Sequence, residues 1–368
     1  MWSSLEEVVR GLLDRMRSWP LGDPLFLDPR YERKPLNPSF FHRFEVEEDE
    51  DRTMCFVDGG IIAIIDTPSV GIQLCRLYFC KYKGEVRVAP SSLPQRLDFF
   101  VVSQAVNEGR KIMYKSTLHA RDKSLRWLMP DEADLYFSSL DRSLMEGNQR
   151  ARLSRASSAA RVFAEWRLAS AVIDRELAPG DILVRDGSLH TRIRGEYNYA
   201  DEAYESANRR NVIFTGLSKT STLFTDSGMA LLAAISKLAK RSGFDESRWF
   251  YHPIVEINKF DHRADMYAVK LHPRSEYVFR FEILKDQALK LGEERRKIFS
   301  CLAANSSDIA FPGYPYGLIE ADRFARVSEE EREPLEIQVK SAISSQGFWS
   351  DLEPLIRTTD AHKRLNEI

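Results

Sequence analysis

The chain has 368 residues, enough for one large domain or two ordinary ones with a sizeable core. Its 53 basic and 55 acidic side chains leave a formal charge of −2, so no global field attracts a polyanion and any nucleic-acid site must be a local basic surface. Cys55, Cys75, Cys80 and Cys301 form no Cys-x-x-Cys pair, and no apolar run reaches the roughly 20 residues that span a bilayer. Glu6, Glu7, Arg10 and Asp14 stand where a signal peptide would be apolar, so the chain reads as a soluble cytoplasmic protein with reduced core thiols.

Residues 3–19 read as an amphipathic helix with Leu5, Val8, Val9, Leu12, Leu13 and Met16 on one face, closed by Pro20 and expected to pack on its own domain. Residues 21–44 hold four prolines and several aromatics without periodicity, which predicts an extended arm. The acidic run 45–51 reads as a solvated loop.

Met54-Cys-Phe-Val-Asp58 then reads as a buried strand ending in a carboxylate. Gly59 and Gly60 leave room for a backbone, a metal or a phosphate to approach it. From Ile61 to Val88, apolar runs separated by Pro68, Gly71 and Lys83-Gly84 predict an antiparallel meander. Residues 93–129 mix periods and predict no definite element, and residues 131–148 read as a helix and a loop.

A long helix over 149–177 carries Arg150, Arg152, Arg155, Arg161 and Arg167. Its other side is more informative, because Glu165 shares a face with Val162, Ala169 and Val172. A buried carboxylate is costly unless it meets a cation, so Glu165 should pair with an arginine or a metal. Glu176 is a rival on the same face, with a solvated helix end as its simpler account. After Pro179-Gly180, Ile182-Leu-Val leads to a second strand-end carboxylate, Asp186, followed by Gly187-Ser188. The next strand, from Val212, ends in Gly-Leu-Ser-Lys219-Thr-Ser and presents a lysine among hydroxyls.

Asp226 is expected to cap a helix over 227–242. Alternating residues around His272-Pro273-Arg274 predict a hairpin over 266–283. Tyr314-Pro-Tyr-Gly then leads into a helix bearing Asp322, and residues 327–368 read as charged and helical. His190 and His252 are taken as structural or solvated.

Carboxylates on two strand ends and a covering helix make an oxygen-only donor set, which favours hard cations such as Mg²⁺ or Mn²⁺. Paired divalent ions held this way support hydrolysis of a phosphodiester, with Lys219 adding positive charge beside the phosphate.

In chain order, Val57-Asp58-Gly59-Gly60, the Glu165 helix, Arg185-Asp186-Gly187-Ser188-Leu189, Gly216-Leu-Ser-Lys219-Thr-Ser and Tyr314-Pro-Tyr-Gly-Leu-Ile-Glu-Ala-Asp322 resemble the motifs of the NurA nuclease family. The resemblance implies an α/β fold, with an RNase H-like mixed sheet flanked by helices at 54–327. An N-terminal helix and arm would precede it at 1–53, and a C-terminal helical segment would follow at 328–368. It also implies a homodimeric, Mn²⁺- or Mg²⁺-dependent DNA nuclease of single-strand endonuclease and 5′–3′ exonuclease type. Such nucleases act on DNA ends with a HerA-type hexameric ATPase in end resection and repair. Asp58, Glu165 and Asp186 fall where the family keeps metal-binding carboxylates, and Lys219 and Tyr314 match further catalytic positions. Asp322 replaces the family's usual histidine, which leaves two readings: a fourth metal carboxylate, or altered activity. The alternative function is a catalytically impaired DNA-end clamp or ATPase partner with the same fold.

Overall fold

The structure is a computed structural model and describes residues 2–47 and 52–365, so residues 48–51 of the acidic run lie outside the described residues. The architecture is mixed α/β, with a twelve-stranded mixed sheet flanked by helices. In spatial order its strands are Phe41–Arg43, Trp249–Tyr251, Ala264–Lys270, Phe279–Leu284, Ile213–Ser218, Ile182–Asp186, Thr53–Asp66, Val70–Lys83, Arg96–Glu108, Lys111–Ala120 and Phe137–Ser138. Val86–Val88 pairs separately with Val70–Lys83. The chain divides into two compact units, one of residues 1–50, 186–190 and 215–315 and one of residues 51–185, 191–214 and 316–368.

In the first unit, antiparallel pairing builds the hairpin predicted around His272-Pro273 and joins it to the short strands at 41–43 and 249–251. Trp249, Tyr251, Tyr267, Phe281 and Phe299 are fully buried, and Phe250 stacks on Phe299 with centroids 4.4 Å apart. The helix expected from Ser227 begins instead at Leu231. Phe224–Thr225 pairs with Pro24–Leu25, and the Asp226 carboxylate accepts the Asp23 amide at 2.9 Å. Asp226 therefore fastens the proline-rich arm rather than capping a helix. The N-terminal helix spans Trp2–Arg17 as its periodicity predicts, but its apolar stripe is not packed: Leu5, Val8, Val9, Leu12, Leu13 and Met16 are 45–66% exposed. Periodicity shows that one side of a helix needs cover without showing which surface supplies it.

In the second unit, Thr53–Asp66 is one unbroken strand of 14 residues, so Asp58 lies within it rather than at its end. Gly59 and Gly60 continue the antiparallel ladder opposite Leu77 and Arg76. Neighbouring helices explain both glycines. A Cβ on Gly59 would stand 2.8 Å from Leu77 Cδ2 and 3.0 Å from Glu165 Oε2, and one on Gly60 would run into the Ala325 carbonyl. Successive residues of a strand face opposite sides. Helix Leu153–Glu176 thus covers the Gly59 side, and helix Tyr316–Ala325 covers the side shared by Phe56, Asp58 and Gly60. A Cβ on Gly317 would likewise strike the Phe56 ring.

Residues 96–120 form a long hairpin that shows no clear period in sequence, turning at Gly109 and Arg110 with φ of 53° and 86°. The stretch read as a helix and a loop holds a short 3₁₀ turn, Glu132–Leu135, and the strand Phe137–Ser138. Helices Glu329–Ser345 and Trp349–Leu365 close the chain, placing Leu335, Val339, Ile343, Leu352 and Ile356 against Ile64, Ile65, Leu74 and Val327. Buried Arg76 pins them through Glu331 at 2.6 Å while also holding Asp98 at 3.0 Å.

Glu176 is not the solvated helix end expected. Its side chain is fully buried, pairs with Lys81 at 2.8 Å, and accepts the amides of Ser91, Ser92 and Leu93 at 2.7–2.8 Å and the hydroxyls of Ser91 and Ser92. Burial raises its carboxyl, but Lys81 and the three amides prevail and lower it to about 2. All four cysteines are free and buried. No helix among the described residues is long and apolar enough to cross a membrane.

Candidate metal centre

The parallel ladder of Ile182–Asp186 on Thr53–Asp66 ends with Arg185 opposite Val57. Asp186 and Asp58 are the next residue on each strand. Arg185 turns to the side covered by helix Leu153–Glu176, where its guanidinium pairs with Glu165 at 2.8 Å and stacks 4.4 Å over Trp166. Alternation therefore directs Asp186 to the other side, the side of Asp58 and of the helix bearing Asp322. One carboxylate oxygen from each of Asp58, Asp186 and Asp322 lies within 4.8 Å of the others, and no other such group of three occurs among the described residues. Asp58 also accepts the Gly59 amide at 2.7 Å. Lys219 Nζ lies 2.6 Å from Asp186 Oδ2 with its side chain about one-third exposed.

Two further residues expected at the site have protein partners of their own. Glu165 is 1% exposed and meets the cation its burial requires, but the cations are Arg161 at 2.6 Å and Arg185 at 2.8 Å. It lies on the opposite side of the strand from Asp58 and outside the carboxylate group. Tyr314 is 2% exposed and packs into an aromatic cluster, stacked on Phe311 with centroids 5.0 Å apart and tilted on Phe279 at 5.2 Å. The two histidines read as structural or solvated have protein partners. His190 stacks on His262, and His252 Nε2 lies 2.8 Å from Asp265.

Two supporting carboxylates escaped the sequence reading. Glu320, on the Asp322 helix, accepts the Tyr78 and Tyr82 hydroxyls at 2.7 and 2.6 Å and the Arg87 guanidinium at 2.8 Å. Burial raises its carboxyl, while Arg87 and the two tyrosines hold it below the usual range. Tyr78 is the ladder partner of Asp58, so this bond ties the Asp322 helix beside the Asp58 strand. Glu282 is completely buried and accepts from Arg280, His262 and the Leu189 amide. Burial raises its carboxyl too, but Arg280 and His262 hold it well below the usual range. The sequence signal for Glu282 was the pair Arg280 and Glu282, two charges on one side of an otherwise apolar strand.

Fold and site together define a mixed α/β protein in which two sheet carboxylates and one from a helix cluster, a donor set suited to a hard divalent cation. The sequence profile of the NurA domain matches residues 52–327, and the chain belongs to the NurA family, a family of nucleases. No curated protein matches it. Among solved structures it is similar to one titled "Crystal structure of NurA", with 7% identity, a TM-score of 0.46, and coverage of 94% of this chain and 96% of that one. An Aquifex aeolicus Argonaute structure is similar at 10% identity and a TM-score of 0.29 over 77% of this chain and 29% of that one.

Proposed function

We propose that this chain is a divalent-metal-dependent DNA nuclease in which Asp58, Asp186 and Asp322 hold Mn²⁺ or Mg²⁺. The observation that carries the reading is the convergence of three carboxylate oxygens within 4.8 Å in a chain of a nuclease family. The donor set fits the group, being all oxygen and drawn from two adjacent strands and a helix fixed by its own hydrogen bonds. When bound, a divalent cation supplies Lewis-acid stabilisation of charge on a phosphate. Lys219, already beside Asp186, supplies a fixed positive charge at the same place. Glu165 acts one layer out by holding Arg185, the residue before Asp186. Tyr314 orders the turn that leads into the Asp322 helix.

The finer assignment follows the family resemblance: DNA ends as substrate, a HerA-type hexameric ATPase as partner, and a homodimer as the working form. The uncovered stripe of helix Trp2–Arg17 supports a second copy as its cover.

The test is cleavage of labelled single- and double-stranded DNA with Mn²⁺, Mg²⁺ or chelator, together with the melting temperature in each. The parent should cleave only with metal and melt higher with it, and Asp58→Ala and Asp186→Ala should lose both effects while remaining folded. Full metal-dependent cleavage by either variant sinks the assignment. Metal-induced stabilisation without cleavage would instead favour the clamp.

A further inference from the structure

The turn that follows Asp186 is held from a strand that is not its neighbour. Strand Phe279–Leu284 pairs with Ile213–Ser218 in a register that sets Glu282 opposite Gly216. Gly216 has no side chain, and a Cβ there would stand 2.5 Å from the Gly187 carbonyl oxygen and 3.1 Å from Leu189 Cδ2. Through that gap the turn packs closely on the strand and Glu282 Oε2 accepts the Leu189 amide at 2.7 Å. Gly187, at φ 105°, donates its amide to the Leu217 carbonyl at 2.8 Å. The other Glu282 oxygen is fixed by Arg280 Nε at 2.8 Å and His262 Nε2 at 3.0 Å, and His262 Nδ1 is in turn bonded to the Tyr31 hydroxyl at 2.9 Å.

We propose that Glu282 is a positioning residue for the metal centre: through the Leu189 amide it sets the Asp186–Leu189 turn and with it the direction of the Asp186 carboxylate. The inference rests on the metal-binding reading given above. With one oxygen on the Leu189 amide and the other held by Arg280 and His262, the Glu282 carboxylate is fixed in direction and fixes the turn in the same direction. Outer partners of this kind orient a ligand without touching the metal, and their removal typically lowers metal affinity by about 10–100-fold.

The experiment uses the full chain with Glu282→Gln and Glu282→Ala, each measured at a temperature where circular dichroism shows it folded. Two readouts are taken: hydrogen exchange of the Gly187 and Leu189 amides, and Mn²⁺ affinity from the electron paramagnetic resonance signal of the free ion. Glutamine keeps an acceptor for Leu189 but sets an amide group against Arg280, so it should lose less than alanine does. The expected result is faster exchange confined to the turn and Mn²⁺ affinity lowered by about 10-fold or more in Glu282→Ala, with partial recovery in Glu282→Gln. Unchanged turn exchange, or parental Mn²⁺ affinity in folded Glu282→Ala, overturns the positioning role. If the parent itself fails to bind Mn²⁺, the metal reading falls and the inference falls with it.

Discussion

Replacing Glu176 with glutamine isolates the contribution of one buried carboxylate to the stability of the second unit. In the folded chain its carboxyl lies at about 2 against an ordinary 4.5. That difference corresponds to roughly 3 kcal/mol at neutral pH. Because the folded value is the lower one, the stabilisation is fully present above pH 4.5 and is lost as pH falls towards 2. Glutamine preserves the shape but sets an NH₂ group among the amides of Ser91, Ser92 and Leu93 and the Lys81 ammonium, which are all donors. Urea unfolding of parent and Glu176→Gln should therefore differ by about 3 kcal/mol at pH 7, with the gap narrowing as pH falls below 4.5 and closing only near pH 2. Adding Lys81→Met to the glutamine variant should recover part of the loss, since it removes a buried cation left without its carboxylate. Curves that stay parallel from pH 7 to pH 3 would refute the reasoning.

Gly60→Ala forces a methyl group into the Ala325 backbone, where neither strand nor helix can yield cheaply; a loss of about 1–3 kcal/mol and weaker Mn²⁺ binding through displacement of Asp322 are expected from thermal melts and metal titration. A variant that melts and binds like the parent would show that the two elements are not in close contact. Asp322→Asn should reduce both the metal-induced rise in melting temperature and cleavage, with Asp322→His restoring part of the cleavage; parental behaviour of the asparagine variant makes Asp322 an ordinary helix carboxylate. DNA affinity should fall steeply with salt despite the net charge of −2, and Lys219→Gln should lessen the logarithmic salt slope by about 1 in filter-binding titrations.

The amino-acid sequence alone determined the local strand and helix periods and the ordered motifs of the family. Carboxylates at Asp58, Glu165 and Asp186 with a lysine at 219 were the expected donor set for a hard cation beside a polyanion, and the family resemblance added Asp322. The alternating run over 266–283 and the Tyr314-Pro315 turn into a helix were legible because period and turn chemistry are local properties. Tertiary structure decided what depends on register and on which side of a strand faces which helix. Gly59 and Gly60 look like a strand end, yet they lie inside a strand because two helices press on its opposite sides. For the same reason Glu165 and Asp58 are separated by the alternation of neighbouring residues. Glu165 required a cation by its position on the helix; Arg161 stands one turn before it on the same helix, but only the fold supplies Arg185. The hairpin at 96–120 escaped because its turn places Arg110 at positive φ, a conformation its residue type does not advertise. Glu176 and Glu320 meet donors 83–242 positions away that are assembled only when the chain folds, and Glu282, beside Arg280 in sequence, reaches the Leu189 amide 93 positions away only in the fold.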